Sequence, residues 1–167
     1  ELLVQFRSRM NPMGLQQALF GIAQSFQDRT GIALEYRNRV VDLRLSVDQE
    51  AQVFFIVQEA LANVGRHSGA SVAILTLEGA GDYYVVTIDD NGRGGQGFFA
   101  IANRTGGFEE HPHLRDHFGL SIMRERATEA GGSCEIRSRP GQGTQVIVRV
   151  PLVAKSATPT ALSQLRL

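Results

Sequence analysis

The chain has 167 residues, of which 43% are hydrophobic, enough for one domain with a substantial core. Its 17 basic and 17 acidic residues cancel to a formal charge of zero, so nothing in the balance favours a nucleic-acid or anionic-membrane surface. A single cysteine, Cys134, excludes an intrachain disulfide, and no Cys/His group has zinc-ligand spacing. Together with the lack of a signal peptide or bilayer-length apolar run, this fits a cytoplasmic setting. The start at Glu1 rather than Met suggests a piece of a longer protein.

In chain order, Glu1 to Met10 reads as the end of an upstream helix, stopped before Asn11-Pro12 because the residue before proline is pushed out of the helical region. Residues 1–12 are accordingly assigned to an upstream dimerisation or linker helix, 13–152 to one domain and 153–167 to a frayed tail. Leu15 to Asp28 is a second helix with Leu15, Leu19, Ile22, Ala23 and Phe26 on one face, closed by Thr30-Gly31. Ile32 to Tyr36 alternates as a short strand. Ser46 or Asp48 can cap a long helix reaching Ser68-Gly69. On it Phe54, Val57, Leu61 and Val64 form an apolar stripe, and Glu59, Asn63, Arg66 and His67 fall together on the other side.

Val72 to Leu77 and Tyr83 to Ile88 predict a hairpin across Gly79-Ala80-Gly81-Asp82. Gly95 to Phe118 has no sustained period and is expected to be a long mobile loop, of the kind that serves as a lid or binding loop. Gly119 to Ala130 is a helix with Leu120, Met123 and Ala127 inward and Gly131-Gly132 as its stop. A second hairpin, Cys134 to Arg139 and Thr144 to Val150, closes around Pro140-Gly141-Gln142-Gly143.

The polar face of the long helix has the chemistry of a phosphate and metal site. Glu59 and Asn63 place a carboxylate and an amide oxygen one turn apart, as suits a hard cation such as Mg²⁺, with Arg66 and His67 available to phosphate oxygens. A merely solvated face fits the same residues. Asp90-Asn91-Gly92, taken alone, reads as a turn.

Glu59-Ala60-Leu61-Ala62-Asn63, Asp90-Asn91-Gly92-Arg93-Gly94, His117-Phe118-Gly119-Leu120-Ser121-Ile122-Met123-Arg124-Glu125-Arg126 and Gly141-Gln142-Gly143-Thr144 occur in this order and spacing. In that register they resemble the catalytic ATP-binding domain of two-component sensor histidine kinases. The wider superfamily includes gyrase B subunits, ATP-driven chaperones and mismatch-repair ATPases. The Gly-Leu-x-x-Met-Arg-Glu-Arg run and Arg66-His67-Ser68 are similar to the subfamily that signals to helix-turn-helix response regulators, nitrate/nitrite sensor kinases above all.

The resemblance implies an α/β two-layer sandwich of the Bergerat type. A mixed, mostly antiparallel sheet is covered on one face by three helices, with a mobile ATP lid. It implies ATP and Mg²⁺ as cofactors, Asn63 as the metal ligand and Glu59 as the residue polarising a catalytic water or the incoming nucleophile. Asp90 would accept the adenine amino hydrogen, which distinguishes adenine from guanine. Gly92 and Gly94 would let the backbone approach the base. Gly119 and Leu120 would offer amides at a helix N-terminus to phosphate. Arg66 and His67 would contact phosphates, or simply end a solvated helix. Thr144 would reach Asp90 through its hydroxyl or serve as an ordinary strand residue.

A metal site among His111, His113 and His117 lacks supporting spacing. None of the four histidines is followed by an acidic residue, the context of the subfamily's phosphoacceptor. The expected partners are therefore an upstream dimerisation and phosphoacceptor domain and a response regulator, in a homodimeric parent anchored in the bacterial inner membrane. The fragment alone is open to being a monomer. A degenerate ATP-binding or docking module, and a gyrase- or chaperone-type ATPase, are the alternatives.

Overall fold

The structure, a computed structural model, describes residues 14–93 and 114–154, apart from the side chains of His67 and of residues 114–118. Helix α1, Gly14–Thr30, buries Leu15, Leu19, Ala23 and Phe26, a spacing of three and four residues that keeps one stripe inward. It ends where Gly31, at φ +71°, donates its N–H to the Gln27 carbonyl at 2.9 Å, a left-handed stop that glycine adopts without strain. Strand β1, Ala33–Asn38, then turns Leu34 and Tyr36 toward the core.

Helix α2, Val47–Asn63, starts with a reciprocal cap. The Gln49 N–H donates to Ser46 Oγ at 3.1 Å and the Ser46 N–H donates to Gln49 Oε1 at 2.9 Å. Of the two caps considered, Ser46 is the one used, and Asp48 sits in the first turn, where the helix dipole favours an acid. The α-helical hydrogen bonding stops at Asn63 and a π-helical turn, Val64–Ser68, carries the chain to Gly69 at φ +60°. Four more elements follow: β2 (Val72–Ala80), β3 (Tyr83–Asp90), α3 (Leu114–Glu129) and β4 (Ser133–Ser138). Strand β5 (Thr144–Pro151) completes the domain.

The sheet order is β1-β2-β3-β5-β4. Strand β1 pairs parallel to β2, with Ala33 opposite Val72, and every other pair is antiparallel. The parallel pair requires a crossover, and α2 supplies it. Alternate residues, Ala73, Leu75, Leu77, Tyr84, Val86, Ile88, Val146, Val148 and Val150, are buried in one cluster with the inward faces of all three helices. The opposite face carries ion pairs such as Arg37–Glu35 and Arg137–Glu135. This is the expected two-layer, mixed, mostly antiparallel sandwich with three helices on one face.

Three boundaries differ from the sequence reading. Helix α3 begins at Leu114, so residues 114–118 of the expected loop are helical. The stretch Leu-Arg-Asp-His-Phe holds no breaker, and the expected start relied on Gly119 as a boundary. The first hairpin pairs out to Ala80 and Tyr83, which shortens its turn to Gly81-Asp82, with Gly81 at φ +61°. Leu152 and Val153 are tied down, donating to the carbonyls of Asp82 and Arg44 at 2.7 Å each, so fraying does not begin there. Residues 1–12, most of the expected lid and the tail from residue 155 lie outside the described residues.

Two glycines test the packing. A Cβ on Gly132, between α3 and β4, would lie 3.0 Å from Val150 Cα and collide with the Arg149 carbonyl, whereas one on Gly21, in the exposed middle of α1, meets nothing within 4 Å. Gly132→Ala should destabilise the domain by about 1–3 kcal/mol through overpacking. Gly21→Ala should stabilise it by about 0.5–1 kcal/mol through helix propensity. Denaturant unfolding midpoints of the two variants check both signs.

Candidate functional site

The site lies where the C-terminal end of α2, the end of β3 and the β4–β5 turn meet. Its upper half is built on α2. Phe54, Val57, Leu61 and Val64 are buried as the stripe requires, leaving Glu59 and Asn63 partly exposed on the other side. Beyond Asn63 the π-helical turn brings Arg66 back over both. One nitrogen, Arg66 Nη2, donates to Glu59 Oε1 at 3.3 Å and to Asn63 Oδ1 at 3.1 Å. Glu59, Asn63 and Arg66 are thus brought together as expected. The amide nitrogen of Asn63 is buried without a hydrogen-bond partner among the described residues.

Helix α3 closes against this group at Gly119. A Cβ there would lie 2.6 Å from Glu59 Oε1 and 3.6 Å from Asn63 Nδ2, so any larger residue would require the Glu59 side chain to shift. The expected position of Gly119 and Leu120 at the start of a helix is corrected on this point. Gly119 is the sixth residue of α3, where helical N–H groups are used by carbonyls four residues earlier. The Leu120 side chain is buried in the core cluster rather than turned to the site.

The lower half centres on Asp90, the last residue of β3. Its half-buried carboxylate receives the Gly92 N–H at 2.8 Å and the Thr144 backbone N–H. Burial pushes the carboxyl pKa above its ordinary value. The two N–H groups pull it partly back, and the neighbouring Asp89 charge adds to the rise. Thr144 therefore reaches Asp90 through its main chain, as its register partner across β3 and β5. Its hydroxyl instead meets Ser138 Oγ at 3.0 Å, because the two residues are cross-strand neighbours on β4 and β5.

Gly92 is required by the protein's own packing: a Cβ there would collide with the Ser68 carbonyl and lie 2.8 Å from Asp90 Oδ1. Arg93 then donates its N–H to the Ser68 carbonyl at 2.8 Å, joining the end of β3 to the end of the α2 extension. Asn91 makes the same junction from its side chain. Its Oδ1 accepts from the Ser71 and Val72 N–H groups at 3.0 Å each, and its Nδ2 donates to Ser71 Oγ at 2.9 Å. The sequence reading passed over Asn91 because Asn before Gly signals a local turn, while these partners lie 19 and 20 residues away. Gly94 and the side chain of His67 lie outside the described residues, as do His111, His113 and the side chain of His117.

The donor set fits Mg²⁺ better than a fully protein-bound ion. Glu59 Oε1 and Asn63 Oδ1 converge on one point, now held by a guanidinium nitrogen. No group of three or more His, Cys, Asp or Glu suited to a metal occurs among the described residues. Two hard oxygens completed by phosphates and water is how Mg²⁺ is commonly held.

Residues 48–154 match the family described as histidine kinase-, DNA gyrase B-, and HSP90-like ATPase, and the chain belongs to that family. It is 34% identical over 139 residues to the sensor histidine kinase LiaS of Bacillus subtilis, covering 83% of this chain and 34% of LiaS. It is 28% identical over 148 residues to the nitrate/nitrite sensor protein NarX of Escherichia coli, covering 89% of this chain and 23% of NarX. The chain thus spans about a third or less of the length of these relatives. In fold it is similar to the histidine kinase domain from the Erythrobacter litoralis EL346 blue-light activated histidine kinase. The TM-score is 0.67 at 22% identity, over 90% of this chain and 70% of that one. Among the described residues no helix is long and apolar enough to cross a membrane.

Because burial raises the Asp90 pKa, the folded state holds that proton more tightly than the unfolded chain does. Stability attributable to this group is therefore highest below the unfolded carboxylate pKa and is lost as pH rises through the folded value. Asp90→Asn should abolish that component, so the variant gains stability relative to the parent as pH increases from the acid range to neutrality. Thermal unfolding followed at several pH values checks the sign.

Proposed function

We propose that this chain is the ATP-binding catalytic domain of a two-component sensor histidine kinase. The observation that carries the reading is the pairing, within the family-matched span, of a half-buried carboxylate at Asp90 with the converging oxygens of Glu59 and Asn63. Asp90 is suited to accept a hydrogen bond from the adenine amino group. An N–H donor would relieve the desolvation that raises its pKa, whereas guanine presents a carbonyl at the corresponding position. Asn63 Oδ1 is the metal ligand, Glu59 polarises the attacking group, and Arg66, with His67, meets the phosphates. Bound Mg²⁺ would supply charge neutralisation at the transferring phosphoryl group. Gly94 keeps only the role that the resemblance implies for it, a residue without a Cβ for the adenine base.

The reaction is transfer of the ATP γ-phosphoryl group to a histidine on a separate dimerisation domain and onward to a response regulator. The likeness to NarX supports a nitrate/nitrite-type parent, and that to LiaS supports the broader sensor-kinase class. The Gly-Leu-x-x-Met-Arg-Glu-Arg run and Arg66-His67-Ser68 support a helix-turn-helix response regulator as partner. Residues 1–12 are read as the end of the upstream helix, and the parent as a membrane-anchored homodimer.

Calorimetric titration with ATP and GTP, with and without Mg²⁺, tests the reading. ATP should bind and GTP should not. Asp90→Asn should weaken ATP about tenfold to a hundredfold, the worth of one charge-assisted hydrogen bond. Equal affinity for both nucleotides, or binding untouched by the substitution, would remove the adenine assignment.

A further inference from the structure

We propose that Arg66 is a resident counter-cation at the metal position, so that the site admits a divalent ion together with nucleotide phosphates rather than before them. The inference rests on the nucleotide-site reading above and adds a coupling between its two ligands.

Arg66 Nη2 lies 3.1 Å from Asn63 Oδ1, the oxygen that would ligate the metal, and 3.3 Å from the neighbouring Glu59 Oε1. An ion bound to Asn63 Oδ1 at about 2 Å takes one of the guanidinium's hydrogen-bond acceptors and repels its charge. Metal and guanidinium therefore compete for one place. The backbone beneath Arg66 is well held. Ser68 Oγ donates to the Val64 carbonyl at 2.7 Å and accepts the Ala70 N–H at 2.9 Å, and the Ser68 carbonyl accepts the Arg93 N–H at 2.8 Å. The side chain is not held in the same way, since it is 56% exposed and its Glu59 partner 34% exposed. Such an ion pair is weak enough to be exchanged, and the side chain can swing without disturbing the turn.

An arriving polyphosphate changes the balance. It gives the guanidinium a second anionic partner, frees Glu59 and Asn63, and supplies the remaining oxygens a hard cation needs. Displacement by the metal then costs nothing that the phosphates do not return. Metal and nucleotide consequently strengthen each other through Arg66, and by linkage each raises the other's affinity by the same factor.

The test compares the parent chain with Arg66→Met, which keeps length and loses charge, and with Arg66→Lys. The quantity read is the factor by which saturating Mg²⁺ improves ATP affinity over EDTA, measured by calorimetry. Free Mn²⁺ binding without nucleotide is followed in parallel by its electron paramagnetic resonance signal. In Arg66→Met the Mg²⁺ factor should fall by up to about fivefold, the range expected of an exposed ion pair, and Mn²⁺ binding without nucleotide should tighten. Arg66→Lys should lie between the two. An unchanged Mg²⁺ factor in Arg66→Met, with ATP still bound, would overturn the role given to Arg66 and leave the nucleotide site intact. Failure of the parent chain to bind ATP in either buffer would overturn the nucleotide-site reading itself.

Discussion

Gly92 passes so closely between the Ser68 carbonyl and the Asp90 carboxylate that no side chain fits there, and the site's geometry depends on that passage. From it Gly92 N–H reaches Asp90 and Arg93 N–H reaches Ser68, so one short segment joins the end of β3 to the turn that extends α2. The β4–β5 turn closes on the same point. Gly141 donates its N–H to the Arg93 carbonyl at 2.6 Å, and Gly143, at φ +77°, lies where a Cβ would strike the Asp90 carbonyl. Three segments distant in sequence are thereby locked at one place by main-chain contacts. The functional side chains on them then need only local rotamer freedom.

The core explains why that place is rigid. Alternation along β2, β3 and β5 puts every second residue under the helices, and α2 lies between α1 and α3 on that face. A one-residue slip of β3 would turn Ile88 and Val86 to solvent and carry Asp90 away from Thr144. The register that buries the core is therefore the register that sets the carboxylate opposite its second N–H donor. Fold and site share one constraint.

Much of this could be read from the residues, and the reasons for the rest are specific. Periodicities of two and of three to four located the strands and helices, because burial on one face is what those patterns encode. The convergence of Glu59, Asn63 and Arg66 was visible as helical spacing, although the π-helical turn that delivers Arg66 leaves no sequence signature. Gly119 was misread because glycine before a helical run resembles a boundary. Its close approach to Glu59 is a property of two helices and appears in neither sequence segment alone. Asn91 was missed for the same reason: its partners are made adjacent only by the sheet. Thr144 was assigned through its hydroxyl, yet it acts on Asp90 through a backbone group that any residue but proline would supply.

The two ends of the site handle negative charge in opposite ways, and the contrast follows from where each sits. Asp90, at a strand end enclosed by turns, is half-buried, and two N–H donors leave its charge only partly compensated. A ligand N–H that completes its hydrogen bonding recovers part of the desolvation already incurred, which favours a planar base offering a donor at that point. Glu59, on an exposed helix face, remains in contact with water and is already paired with Arg66. There, a ligand has to offer the cation a better anion before the carboxylate is released. Under the proposed function the first arrangement would select by hydrogen-bond chemistry and the second by charge exchange, so that one end would read the base while the other would read phosphate and metal together.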